Sequence, residues 1–238
     1  MEHKPMENEP AEDARDLVTE LFPQARWALL TGSVTTAHRT AGSDLDIVVM
    51  LPDGDPAAPH RDSRHYRGWP AELFVHDAAS LAHYLAKELP SQRPVLHQMV
   101  AMGVPLLGDP SSTQDECRAV LDKGPGLPGE AERDRARYML TDQIDELTHN
   151  TDPGEQAVIA AVAWLYAGQQ TLALAGRWVA HGKWLIRDLR AYDPDVAIEW
   201  LAAQGNPAAI IAYVETLLVR HGGPLFAGYT VPGERPSS

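Results

Sequence analysis

The sequence of 238 residues contains little cysteine, little positive charge and no long apolar run. Its single cysteine, Cys117, excludes an intrachain disulfide and predicts a reducing, cytoplasmic location. No apolar stretch reaches the length of about 18 residues that a membrane span needs, so no span is predicted. Lys and Arg number 20 against 33 Asp and Glu, a formal net charge of −13. Because nucleic-acid-binding proteins carry a basic surface, this acidic balance disfavours a nucleic-acid partner.

Local composition predicts two domains joined by a short linker. Residues 123–129 contain three glycines and two prolines, which is typical of a domain boundary. The first residues are polar and lack the apolar run of a signal peptide. The predicted organisation is a disordered tail (1–10), a first domain (11–123), the linker (124–129), a helical domain (130–222) and a C-terminal tail (223–238).

Hydrophobic periodicity predicts an α+β protein: an N-terminal α/β domain with a small mixed sheet, followed by an all-α bundle. Helix 153–180 is apolar on nearly every side, which predicts a central position in the bundle. Strands are predicted at 27–31, 45–51 and 71–76, with a short extended segment at 105–108. Helices are predicted at 11–22, 33–39, 78–88, 93–102, 114–121, 130–149, 153–180, 194–204 and 207–221.

Two carboxylates begin the second predicted strand, in the sequence Asp44-Leu45-Asp46-Ile47. Successive side chains of a strand alternate between its faces, so Asp44 and Asp46 point the same way while Leu45 and Ile47 point into the core. Two such acids repel each other unless a divalent cation lies between them, and carboxylate oxygens suit Mg²⁺. The plainer interpretation is a strand end whose two acids are solvated.

A glycine and a serine precede this acidic pair, with ten residues between Ser33 and Asp44. A glycine turn that leads into a short helix exposes backbone N–H groups, which bind anions, and the Ser33 hydroxyl adds a donor. Gly32-Ser33 alone is a weak signal. Together with the acidic pair, it predicts a site that holds the phosphates of a nucleotide beside a metal.

A third acid, Glu72, lies on the strand predicted at 71–76. Alternation puts Glu72, Phe74 and His76 on one face. If this strand pairs with the strand at 45–51, Glu72 faces Asp44 and Asp46 and completes a metal site. The alternative is an exposed glutamate on an edge strand.

These residues resemble the nucleotidyltransferases of the DNA polymerase β-like superfamily. The segments Leu30-Thr31-Gly32-Ser33 and Gly42-Ser43-Asp44-Leu45-Asp46 are similar to those of small bacterial antibiotic nucleotidyltransferases of the aminoglycoside and lincosamide types. The resemblance covers residues 27–77. A weaker likeness extends to the segment 182–185 in the helical domain.

The resemblance implies a catalytic mechanism. Asp44, Asp46 and Glu72 would hold two Mg²⁺ ions, and Glu72 would act as general base on the acceptor hydroxyl. Gly32 and Ser33 would hold the β- and γ-phosphates of an NTP, with Ser43 as a helper. The enzyme would then transfer a nucleoside monophosphate (NMP) from the NTP to the hydroxyl and release pyrophosphate.

Two cations are further candidates for phosphate binding. Lys183 follows a glycine between helical stretches and could neutralise the triphosphate; the alternative is an ordinary lysine near a helix C-terminus. Arg39, which precedes the second strand, could do similar work. An acidic cluster could instead bind a cationic acceptor, or simply form a solvated helix face; it comprises Asp142, Asp145, Glu146 and Asp152.

The acceptor is open at this stage. The leading hypothesis is a small hydroxylated molecule, with an aminoglycoside-like antibiotic as one candidate and biosynthesis as an alternative to resistance. A second hypothesis is a toxin-like enzyme that modifies a protein or tRNA. A third is a nucleotide-binding or antitoxin-type module without turnover. The NTP is open too, with ATP as the first candidate, and so is the oligomeric state.

Overall fold

The computed structural model describes residues 9–233. Most of the predicted N-terminal tail (1–8 of 1–10) and the last part of the predicted C-terminal tail (234–238) lie outside the described residues. The chain divides between Lys123 and Gly124 into two compact units. As predicted, it is α+β: the first unit contains a small mixed sheet, and the second is helical.

The first unit is built on a five-stranded sheet with the order β3-β4-β2-β1-β5. The central strand β2 pairs antiparallel with β1 and parallel with β4, while β3–β4 and β1–β5 are antiparallel pairs. The elements are α1 (Pro10–Leu21), β1 (Trp27–Thr31), a 3₁₀ turn (Ser33–Thr35), β2 (Leu45–Met50), β3 (His60–Tyr66), β4 (Trp69–His76), α2 (Ala78–Glu88), α3 (Val95–Met102), β5 (Val104–Gly108) and α4 (Ser111–Lys123).

Both faces of the sheet are covered. Leu45, Ile47 and Val49 of β2 pack with α1 in one core, and Val48 and Met50 pack with α2, α3 and α4 in a second core. Asp46 lies on the same face of β2 as Val48 and Met50, which are apolar. The Asp46 carboxylate is therefore at the edge of that second core.

The second core also contains the single cysteine. Cys117 of α4 is 2% exposed, and burial raises the pKa of its thiol to about 11. Because the thiolate is the reactive form of cysteine, this thiol has a structural role in the folded unit.

Most predicted elements are present, but two were missed. Strand β3 was assigned to no element because His60–Tyr66 is polar on both faces and shows no apolar alternation. Helix α7 (Lys183–Tyr192) lies in a segment for which no helix is predicted, since Lys183 is expected to lie between helical stretches. The helix predicted at 33–39 is only the 3₁₀ turn Ser33–Thr35. The helix predicted at 11–22 begins at Pro10, which fits the preference of proline for the first helical turn.

The second unit consists of helices in the part of the chain described. The described part of its tail packs on the first helix of the unit, α5 (Glu130–His149). Arg137 of this helix donates to the carbonyls of Gly222 and Gly223, and the Tyr138 and Tyr229 rings stack with centroids 4.3 Å apart. The helices are α5 (Glu130–His149), α6 (Pro153–Leu174), α7 (Lys183–Tyr192), α8 (Pro194–Ala202) and α9 (Pro207–Arg220).

Helix α6 is shorter and less enclosed than the sequence predicts. It ends at Leu174, and Gly176 follows with a positive φ of 67°. One face packs into the helical core, but Val158, Val162 and Leu165 are 65, 51 and 43% exposed. The prediction that neighbours surround α6 was therefore wrong for this face. The helix has 22 residues and contains an 18-residue window of mean hydropathy 1.4, which suffices in length and composition for a membrane span. Core helices of other proteins pass the same test.

Two tryptophans join α6 to α8 through ring stacking and hydrogen bonds. The rings of Trp164 and Trp200 stack with centroids 4.0 Å apart and planes 8° apart. Each indole N–H donates to the other residue's carbonyl oxygen, at 2.7 and 2.8 Å. Gly168 lies one turn along α6, where an added Cβ would stand 2.7 Å from Trp200 Nε1. The stacked pair therefore requires glycine at this position.

Gly168→Ala is expected to destabilise the second unit by roughly 1–3 kcal/mol, since the new methyl group must displace the Trp200 ring. Helix propensity alone predicts the opposite sign, a gain of about 1 kcal/mol for alanine over glycine inside a helix. Urea unfolding followed by tryptophan fluorescence measures the difference.

The reverse change at the exposed Ala161 of α6, Ala161→Gly, measures the propensity effect in the same helix. Gly168→Ala stabilising the protein by the amount that Ala161→Gly destabilises it would show that Trp200 does not need the space.

Candidate active site

The structure brings the three predicted acids together. Asp46 of β2 lies directly opposite Glu72 of β4 in the parallel pair, and Asp44 immediately precedes β2. The strand pairing on which the prediction depended is thus present. One oxygen from each carboxylate lies within 4.8 Å of the others. The site is therefore built from two adjacent strands whose register places the acids side by side.

The chemistry of this cluster suits a divalent cation. Asp44, Asp46 and Glu72 are each partly buried, so water screens their mutual repulsion incompletely. Hard cations such as Mg²⁺ take carboxylate oxygens as ligands, and protein sites commonly supply a few carboxylates to them. Three convergent carboxylate oxygens could hold such an ion.

Gly32 packs against this cluster. It follows β1 with a φ of 82°, a backbone conformation that favours glycine. A Cβ built at Gly32 would lie 2.2 Å from Asp46 Oδ2. Any side chain here would collide with the carboxylate, so the observed position of Asp46 requires glycine at residue 32.

The hydroxyls of Ser33 and Ser43 form a buried hydrogen bond of 3.0 Å. Ser43 Oγ also accepts from the Thr40 backbone N–H at 3.0 Å. Ser33 follows β1 and Ser43 precedes Asp44, so this pair joins the two chain segments that carry Gly32 and the acids. Both hydroxyls thus position the loop, in addition to the phosphate-binding role predicted for them.

Sequence reasoning missed Arg61, which lies on the unassigned strand β3. Its guanidinium donates to Glu72 Oε2 and lies 4.7 Å from the centroid of the Phe74 ring. The sequence signal for this strand is Arg67-Gly68, which connects β3 to β4 as a two-residue hairpin turn, both residues having positive φ. The register of that hairpin pairs Arg61 with Phe74 and Ser63 with Glu72, so Arg61 lies on the same face as Glu72, two residues further along the strands.

The two predicted phosphate-binding cations, Arg39 and Lys183, belong to different units. Arg39 is exposed, and its guanidinium carbon lies 5.3 Å from the centroid of the Trp69 ring. Lys183 belongs to the second unit, where it is exposed and begins α7. The alternative that Lys183 lies near a helix C-terminus is wrong, since it occupies the opposite end, where a cation is not stabilised by the dipole.

The acidic cluster of the second unit has local partners. Asp152 caps α6 by accepting from the Gly154 and Glu155 N–H groups, at 2.8 and 2.9 Å. Asp145 lies 3.3 Å from the His149 ring. Two of the four acids thus have structural roles.

Comparisons with known proteins give a distant likeness. No protein-family model and no curated protein matches the sequence. Among solved structures, the chain is similar to a nucleotidyltransferase-like protein from Exiguobacterium sibiricum 255-15, with 14% identity and a TM-score of 0.44, over 88% of this chain and 74% of that one. A likeness this distant carries no functional conclusion, so the function rests on the geometry of the site.

Proposed function

We propose that the protein is a divalent-metal-dependent nucleotidyltransferase that moves an NMP from an NTP to a hydroxyl group and releases pyrophosphate. The observation that carries the proposal is the cluster of Asp44, Asp46 and Glu72 oxygens within 4.8 Å, directly beside Gly32. A cation site next to a glycine turn has both parts that a metal-bound triphosphate requires.

Asp44, Asp46 and Glu72 are the residues that would hold two Mg²⁺ ions. Such ions, when bound, stabilise the attacking and leaving oxygens of a phosphoryl transfer. Gly32 leaves room for the Asp46 carboxylate, and the first N–H groups of the turn at Ser33 have no partner within that turn to compete with a phosphate. Ser43 positions Ser33 through their hydrogen bond.

Glu72 is the proposed general base. The acceptor hydroxyl loses its proton to the Glu72 carboxylate, and its oxygen forms a bond to the α-phosphorus. The bond from that phosphorus to the bridging oxygen breaks, and pyrophosphate leaves with the electron pair. Holding the two reactants in line accounts for much of the rate gain in such reactions.

The acceptor is a small hydroxylated molecule in this proposal, with an antibiotic as one candidate, and ATP is the first candidate for the donor. A net charge of −13 supports this acceptor over tRNA, because a polyanion would be repelled. The single cysteine supports a cytoplasmic location.

Thermal unfolding with ATP, GTP, CTP and UTP, each with and without Mg²⁺, tests the proposal. A nucleotide at 100 times its Kd should stabilise the first unit by about 2.7 kcal/mol and raise the midpoint by several degrees. The shift should require Mg²⁺ and disappear in Asp44→Asn/Asp46→Asn. It should persist in Asp115→Asn/Asp122→Asn, which makes the same charge change at exposed positions of α4.

The absence of any Mg²⁺-dependent shift with all four nucleotides would contradict a metal–nucleotide site. The same measurement identifies the donor, since the NTP with the largest shift is the one to use in assays of pyrophosphate release.

The ion pair of Arg61 with Glu72 favours a second candidate, a nucleotide-binding module without turnover. A guanidinium on Glu72 competes with a metal and with the proton that a general base must accept. This candidate predicts a Mg²⁺-dependent shift with no pyrophosphate release for any acceptor, which separates it from the enzyme.

A further inference from the structure

A cavity of about 530 Å³ in the first unit is lined in part by Arg61, the residue that pairs with Glu72. It is bounded by strands β3 and β4 and by helices α2 and α3. Pockets of this volume are typical of small-molecule sites. Its lining is mainly apolar, and Phe74, Leu96 and Met99 contribute to it.

Strand β4 connects the cavity to the acids. Phe74 lines the cavity and lies two residues after Glu72 on the same face of the strand, about 7 Å along it. Arg61 also lines the cavity, and its guanidinium contacts both the Phe74 ring and the Glu72 carboxylate. A molecule bound over Phe74 would thus reach Glu72 past Arg61.

The cavity lining contains two cations, Arg61 and Lys87, and one carboxylate, Glu88. The Glu88 carboxylate accepts from the Leu96 and His97 N–H groups, each at 2.9 Å, and from the His97 ring at 2.6 Å. Within residues 9–233, Lys87 forms no ion pair, and its ammonium group lies 5.9 Å from the Tyr84 ring centroid. Lys87 is therefore the cation of the lining that has no carboxylate partner, whereas Arg61 pairs with Glu72.

His76 adds a buried polar group to the cavity lining. It is 7% exposed, and its Nδ1 has no hydrogen-bond partner in the described part of the chain. Burial lowers the pKa of its ring, so His76 is neutral at pH 7 and contributes a hydrogen-bonding group without charge.

The order of the sheet separates this cavity from the proposed phosphate site. Strand β2 with Asp46 lies between β1, which leads to Gly32, and β4, which lines the cavity. In the order of the sheet, the strands that line the cavity thus lie on one side of β2, and the strand that leads to Gly32 lies on the other. In-line attack requires the acceptor and the leaving pyrophosphate to lie on opposite sides of the α-phosphorus.

We propose that this cavity binds the acceptor, and that the acceptor carries a negatively charged group on an apolar body. The identification of the ligand as an acceptor rests on the proposed nucleotidyl transfer. The class of ligand rests on Lys87 and on the apolar lining. It replaces the cationic acceptor suggested by the acidic cluster of the second unit.

Three probes with one hydroxyphenyl body test the ligand class: 4-hydroxyphenylacetate (anionic), 4-hydroxyphenylacetamide (neutral) and tyramine (cationic). Binding to the full chain is measured by saturation-transfer NMR titration without nucleotide or metal. The anion is expected to bind about fivefold more tightly than tyramine, equivalent to one partly exposed ion pair. A chain of net charge −13 would otherwise favour tyramine.

Lys87→Glu should remove the preference for the anion. Lys123→Glu makes the same charge change at an exposed site at the end of α4 and should leave the preference intact. Tyramine binding as tightly as the anion, equal effects of the two variants, or no binding of the anion at millimolar concentration would each overturn the proposal.

ATP with Mg²⁺ is then added to the anion complex. Retention of the probe, under conditions where thermal shift records ATP binding, supports an acceptor site. Displacement would assign the cavity to the nucleotide and overturn the proposal. If no nucleotide binds while the preference for the anion holds, the nucleotidyltransferase function fails and an anion-binding cavity remains, so the two failures are distinguishable.

Discussion

Asp46→Asn abolishes Mg²⁺-dependent nucleotidyl transfer, with an expected loss of at least about 10³-fold in kcat/KM. The carboxylate lies at the centre of the cluster, opposite Glu72 and beside Gly32. An amide offers one neutral oxygen, so it weakens a cation site that contributes several kcal/mol to transition-state stabilisation. Pyrophosphate release with the donor identified by thermal shift measures the loss.

The fold should survive this substitution. Asparagine matches aspartate in size and lowers the repulsion within the three carboxylates, so the unfolding midpoint in the absence of ligand should not fall by more than a few degrees. Asp122→Asn, at an exposed position of α4, is the matched control and should retain full activity. Transfer by Asp46→Asn at well above background would eliminate the metal assignment.

Gly32→Ala has the second large effect, a fall of about 10²-fold in transfer with weaker Mg²⁺–nucleotide binding. The added Cβ would stand 2.2 Å from Asp46 Oδ2, a distance that no real structure tolerates, so the carboxylate must move. Displacement of a reacting group by about 1 Å is enough for such a loss.

Gly54→Ala separates the collision from backbone strain. Gly54 has a φ of 75°, close to the 82° of Gly32, but a Cβ there meets nothing within 4 Å. Both variants should lose unfolding free energy for placing alanine at positive φ. The loss should be roughly 1–3 kcal/mol at Gly32, whose ψ of −165° places it in a region that essentially only glycine adopts. Only Gly32→Ala should lose nucleotide affinity, and equal affinities in the two variants would refute the role of Gly32.

The candidate metal site was accessible from the sequence because it depends on alternation along strands. Asp44 and Asp46 share a face by their spacing, and Glu72 shares one with Phe74 and His76, whatever the rest of the chain does. What the spacing could not supply was the pairing of β2 with β4 and its register. Those are tertiary properties, determined by how the apolar faces of the strands pack.

The parts that were missed share a physical cause. Strand β3 is held by backbone pairing at the edge of the sheet, and its polar side chains leave no periodic signal. Because Arg61 lies on this strand, it was not predicted as a site residue. For helix α6, the prediction of a central position was wrong for a different reason. Its composition is apolar on nearly every side, but composition does not say which side its neighbours occupy. Contacts between residues distant in sequence decide both cases.

The buried thiol of Cys117 is a probe of the stability of the first unit. Cys117 is the only cysteine in the sequence, and as a deeply buried group with a pKa of about 11 it reacts with thiol reagents chiefly when α4 opens. Its labelling rate at low reagent concentration therefore measures the population of the opened first unit, without a signal from the helical unit. Ligands of the site formed by Asp44, Asp46 and Glu72, and ligands of the cavity, would each slow that labelling in proportion to their occupancy, on the unmodified chain.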